Sequence, residues 1–121
     1  MEDPLYREII LDNWENPQNY GVIKNADFDL TENNPLCGDE IRLTGKIQDG
    51  KLGEIAFVSS GCAISKASAS IFTEKIKSLE ISKIKKFIPI DVLEELGITL
   101  TPARTKCALL IYVAVKKGIN K

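Results

Sequence analysis

Residues 41–58 leave this chain little freedom in how it folds. Ile41, Leu43, Gly45 and Ile47 alternate with Arg42, Thr44, Lys46 and Gln48, a period of two that suits a strand with one buried face. Asp49-Gly50 follows, the dipeptide favoured where a two-residue turn needs positive φ. Leu52 and then Ile55-Ala56-Phe57-Val58 supply the return strand. The expected unit is an antiparallel hairpin, and what matters is the residues at its outer ends. Cys37 and Asp39 precede the first strand, and Cys62 follows the second. Neighbouring strands lie about 5 Å apart, so the hairpin by itself predicts that Cys37, Asp39 and Cys62 converge.

The third cysteine, Cys107, lies in Arg104-Thr105-Lys106-Cys107-Ala108, and the chain holds three cysteines and no histidine. Three sulfurs and the nearby Asp39 carboxylate are therefore its only soft or borderline metal-binding set. An odd number of cysteines in a reducing compartment argues for metal or catalytic use over a disulfide framework. Gly61-Cys62 stands at the entry to an expected helix and Cys107 near the start of another. Helix N-termini favour the thiolate, which ligates metal or attacks sulfur. Each cysteine setting is read as exposed. Arg104 and Lys106 add positive charge beside Cys107, and Gly38 and Gly61 let backbone approach a bound ion. Taken singly, each residue has an ordinary explanation. Cys107, followed by Ala108-Leu109-Leu110, would pass for a core cysteine. Asp39 would pass for a turn residue and Arg104 and Lys106 for a solvated helix face. Tyr6, Ile9 and Trp14 read as core. Only the combination points to a metal or iron–sulfur site.

The remaining pattern is mostly helical. Pro4 to Glu15 reads as a helix stopped by Asn16-Pro17-Gln18-Asn19-Tyr20-Gly21. Residues near Asp27 to Leu30 read as a short strand. After Cys62 a helix is expected, capped by Ser65, with Ala67, Ile71, Ile76 and Leu79 on one face. Ser82 to Ile88 reads as a short helix ended by Pro89. Asp91 to Leu96 reads as another, with Asp91 and Glu94 as a capping box and Gly97 at its stop. In the last helix Thr101 caps, Pro102 takes the first position, and Gly118 follows the basic turn of Lys116 and Lys117. The fold class expected is α+β: a small antiparallel sheet of about three strands covered by helices, in one domain spanning 1–121.

Composition narrows the function. With 16 basic and 17 acidic residues among 121, the chain lacks the basic stripe that nucleic acid requires. Its longest apolar run, Ala108 to Val115, is too short to span a membrane. Met1-Glu2-Asp3-Pro4 has no leader-peptide character, so the expected location is the cytoplasm.

Three segments carry a resemblance to a known family. They are Asn34-Pro35-Leu36-Cys37-Gly38-Asp39; Gly61-Cys62-Ala63-Ile64-Ser65 with Ala67-Ser68-Ala69-Ser70; and Pro102-Ala103-Arg104 through Lys106-Cys107-Ala108. With Leu5 to Asp12 and Asn16-Pro17 to Tyr20-Gly21, they make the chain resemble the NifU/IscU/SufU family of iron–sulfur cluster assembly proteins nearly end to end. The resemblance implies that Cys37, Cys62 and Cys107 hold a cluster or a zinc ion with Asp39 in the same site. It further implies a cysteine desulfurase as partner and apo iron–sulfur proteins as acceptors. In the scaffold branch a histidine precedes the third cysteine. Lys106 stands here, as in the SufU-like branch, yet the interval between the second and third cysteines is short, as in scaffolds. The leading reading is a scaffold for a transient [2Fe–2S] cluster. A zinc-dependent sulfur acceptor comes second, with Arg104 and Lys106 stabilising anionic sulfur or docking the partner. A structural zinc domain comes last.

Overall fold

The computed structural model describes residues 4–35 and 38–120. The expected hairpin forms as β2, Asp39–Gln48, and β3, Lys51–Ser60. Asp49 and Gly50 turn between them with φ of 54° and 75°, the pair of positive values the tight turn requires. The register shifts between Lys46 and Ile47. The short strand expected at 27–30 is β1, Phe28–Asn34, which runs longer and pairs antiparallel with β2 to complete a three-stranded sheet ordered β1-β2-β3. Its length was hidden because Glu32, Asn33 and Asn34 are poor strand formers, held here by their partners in β2.

One face of the sheet carries the helices. Helix α6, Leu110–Ile119, lies on β1 and β2, and α2, Ala63–Ile76, on β3. Between them Phe28, Ile41, Leu43, Leu52, Ile55, Phe57, Phe72, Ile76, Ile111 and Val115 form the main core. The outer edge of β3 is covered in two places. Asn19 and Gly21 exchange backbone hydrogen bonds with Phe57, and residues 78–81 pair with Gly50 and Leu52. Both coverings blunt an edge that would otherwise invite intermolecular pairing.

A second, smaller cluster joins α1, Pro4–Glu15, to α2, to α4, Pro89–Leu96, and to α5, Pro102–Ala108, through Ile10, Ala67, Leu96 and Ala108. The small residues of α2 allow this close approach. Ser70 Oγ donates to Asn13 Oδ1 and accepts from the Gln18 N–H, fixing α1 and its loop to α2. Tyr6 and Trp14, expected in the core, are exposed; Ile10 is the buried residue of α1.

Several helix ends differ from expectation. Helix α2 starts at Ala63 with Cys62 at the cap position, and Ser65 Oγ donates to the Cys62 carbonyl and does not cap the helix. Leu79 lies beyond its end. The helix expected at 82–88 shrinks to α3, Ile81–Ile84, and Pro89 begins α4, Pro89–Leu96, instead of ending α3. Proline suits the first helical position because its missing N–H would have no partner there. Asp91 Oδ2 accepts from the Ile88 N–H, so the cap closes on Ile88 and not on Glu94. Gly97 ends α4 with φ +65°, as expected. The final helix is two: α5, Pro102–Ala108, and α6, broken at Leu109 (φ −88°, ψ −2°). Gly118 lies inside α6, where a Cβ would come within 2.7 Å of the Phe28 ring; it admits that ring and does not stop the helix.

Candidate metal centre

The centre forms where the sheet's outer end meets α2 and α5. Asp39 opens β2, and its neighbour Glu40 pairs with Ser60 at the end of β3. The chain then turns at Gly61, φ +128°, and Cys62 sits in extended backbone at the head of α2. Asp39, fully buried, reaches across. Its Oδ1 accepts a hydrogen bond from the Cys62 N–H at 2.8 Å, and its Oδ2 lies 3.5 Å from the Cys62 thiol. The turn depends on glycine, because a Cβ at Gly61 would lie 2.0 Å from Asp39 Oδ1.

Cys107 arrives on α5. Ser68 Oγ of α2 donates a 2.6 Å hydrogen bond to the Ala108 carbonyl, which clamps the end of α5 to α2 one residue beyond the cysteine. Donor atoms of Asp39, Cys62 and Cys107, one from each, all lie within 4.8 Å of one another. Cys37 lies outside the described residues.

Two details of the thiols differ from expectation. Cys107 is buried at 2% exposure, against an expected exposed thiolate, while Cys62 is half-buried. The break at Leu109 also puts Cys107 in the last turn of a seven-residue helix, so the dipole at a helix N-terminus acts on Cys62 and not on Cys107. The donor set suits a borderline metal. Thiolate and carboxylate ligands of a tetrahedral zinc ion stand roughly 3.5–3.8 Å apart, so the observed spread closes with small side-chain adjustments.

Arg104 and Lys106 are exposed, and each lines a groove that includes a sequence neighbour of Cys62 or Cys107. Arg104 lines one of about 230 Å³ with Arg7, Ile10, Leu11, Ala63, Ile64 and Ile98. Lys106 lines another of about 290 Å³ with Glu32, Asn33, Asn34, Pro35, Leu109, Leu110 and Val113. Both floors are aliphatic. The contact that sequence reasoning missed is the one between Gly61 and Asp39. The glycine stood out, but as a place where backbone approaches an ion; its space is taken by a carboxylate 22 residues away in the chain.

The class this defines is an α+β frame that gathers two thiols and a buried carboxylate at one end of its sheet, a group able to hold a metal ion. The chain belongs to the NifU-like N terminal domain family, whose profile matches residues 5–121. It is 40% identical to the zinc-dependent sulfurtransferase SufU of Bacillus subtilis, over 98% of this chain and 92% of that one. The aligned length there, 136 positions, exceeds the 121 residues of this chain, so the Bacillus protein carries segments that this one lacks. It is 33% identical to the iron–sulfur cluster assembly scaffold protein IscU 1 of Archaeoglobus fulgidus, over 95% and 74% of the two chains. Among solved structures it is similar to a putative iron–sulfur cluster assembly scaffold protein for the SUF system from Fervidobacterium islandicum. That match has a TM-score of 0.80, 25% identity and coverage of 93% and 94%. Among the described residues, no helix is long and apolar enough to cross a membrane.

Proposed function

We infer that this protein is an iron–sulfur cluster assembly scaffold that accepts sulfur from a cysteine desulfurase and transiently carries a [2Fe–2S] cluster as its cargo. The observation that carries the reading is the convergence of Asp39, Cys62 and Cys107 from three separated elements within 4.8 Å. Cys37, two residues before Asp39 in sequence, is assigned as the third sulfur. Sulfur enters by exchange. A thiolate of the site attacks the outer sulfur of the desulfurase persulfide, one S–S bond breaks as another forms, and the desulfurase cysteine leaves as thiolate. Iron–sulfur clusters normally rest on four thiolates. A set of three cysteines and one carboxylate holds its cargo less firmly, which suits a cluster made to be passed on to apo acceptor proteins.

A second reading is a zinc-dependent sulfur acceptor. It is favoured by Lys106 standing before Cys107 and by the 40% identity to a zinc-dependent relative. Zinc would be held by the three cysteines and Asp39, and would keep the sulfurs deprotonated at neutral pH. The chain's own residues do the rest. Asp39 orients Cys62 through its N–H, and the two grooves offer a partner apolar floors edged by Arg104 and Lys106. Anaerobic reconstitution with iron(II), cysteine, desulfurase and a thiol reductant separates the two. A cluster spectrum that transfers to an apo acceptor supports the scaffold. Faster desulfurase turnover with zinc retained and no cluster supports the acceptor, and neither result would sink both.

A further inference from the structure

Carboxylates bind metal through one oxygen or two, and the choice decides how many positions remain for sulfur. Here the two oxygens of Asp39 have unequal surroundings. Oδ1 is 2.8 Å from the Cys62 N–H, a bond strengthened by the carboxylate charge. Oδ2 is turned to the Cys62 thiol at 3.5 Å. The hydrogen bond is geometrically possible only because residue 61 has no side chain. A Cβ there would lie 2.0 Å from Oδ1, 2.7 Å from Cγ and 2.8 Å from the Asp39 Cα. Gly61 also holds φ +128°, which L side chains rarely adopt and which aims the following N–H at the carboxylate.

We propose that Gly61 is the positioning residue of the metal centre: it seats the Asp39 carboxylate against the Cys62 N–H, so that Asp39 offers metal Oδ2 alone. This rests on the reading of Asp39 and the cysteines as metal ligands. Gly61 touches neither metal nor sulfur and acts through Asp39. Partners that orient a ligand in this way typically change metal affinity about 10–100-fold when lost.

Zinc affinity, measured by competition with a chromophoric chelator, tests this in four variants. Gly61→Ala is expected to bind zinc about 10–100-fold more weakly than the wild type. Gly50→Ala meets nothing within 4 Å at φ +75° in the distal turn; it places backbone strain away from the centre and is expected to lose stability but no affinity. Asp39→Ala is expected to bind weakly, and Gly61→Ala/Asp39→Ala no more weakly than Asp39→Ala alone, because the glycine acts through the carboxylate. Affinity in Gly61→Ala equal to the wild type, beside a weakened Asp39→Ala, overturns the proposal and leaves the metal centre standing. Wild-type affinity in Asp39→Ala excludes Asp39 from the metal site, and with it the reading on which this proposal rests. Independently of any variant's folding, the zinc-loaded wild type should show a scalar coupling across the hydrogen bond between the Cys62 amide nitrogen and Asp39 Cγ. Its absence overturns the proposal.

Discussion

The body of the sheet and the end that carries Asp39 are built on opposite principles. Around Phe57, Phe72 and Ile111 the space between sheet and helices is filled by large apolar side chains, buried nearly completely. Tyr20 meets Phe57 edge-to-face at 5.2 Å, and Phe87 meets Phe72 at 5.8 Å. Around Asp39, Cys62 and Cys107 the buried groups are small or polar, and the close approaches are made through Gly61, Ser68 and Ala108. The body supplies hydrophobic stabilisation, which is non-directional and scales with area. The Asp39 end holds sulfur and carboxylate in place by directional bonds that earn little net stability. Under the proposed function, exchange of metal and sulfur at the sheet's end is served by keeping stability in its body.

Substitutions that separate stability from metal affinity test this division. Phe57→Ala should cost about 3–5 kcal/mol in urea denaturation and leave the zinc affinity of the folded fraction intact. A parallel loss of affinity would mean the core and the metal centre are one unit. Asp39→Ala should reverse the pattern, weakening zinc binding by at least the roughly 10–100-fold seen for lost orienting partners, with a smaller change in metal-free stability than Phe57→Ala. Ser68→Ala removes the clamp between α2 and α5 and leaves the buried Ala108 carbonyl short of a partner. About 1–3 kcal/mol of destabilisation is expected, with a modest fall in zinc affinity as Cys107 loosens. Thr101→Ala deletes the cap that accepts from the Arg104 N–H and should cost about 1 kcal/mol by thermal melting. Lys106→Ala, on an exposed face, should move stability by less than about 0.5 kcal/mol. It should still slow desulfurase-driven sulfur uptake, and unchanged uptake would remove Lys106 from the proposed role.

The hairpin was legible because a two-residue period and an Asp-Gly turn are local signals. The meeting of Asp39 with Cys62 followed from it, since strand pairing alone brings Glu40 opposite Ser60. The end of α4 at Gly97 was legible for the same reason: a helix that closes on a left-handed residue most often does so on glycine. The break at Leu109 was not, because Ala108-Leu109-Leu110-Ile111 has unbroken helix-forming character. The burial of Cys107 was partly legible: the run Ala108-Leu109-Leu110 marked a core position, and the reading of an exposed thiolate overrode that signal.

By itself, then, the order of residues decided the hairpin, the presence of the helices and which atoms were available as ligands, because these depend on backbone preference and side-chain chemistry within a few positions. Tertiary packing decided which of Gly118 and Leu109 interrupts the last helix, and that Cys107 is enclosed. It also decided that the room left at Gly61 belongs to a carboxylate. Each of those outcomes turns on volumes contributed by distant segments, and close-packed interiors settle volume only once all the segments are assembled.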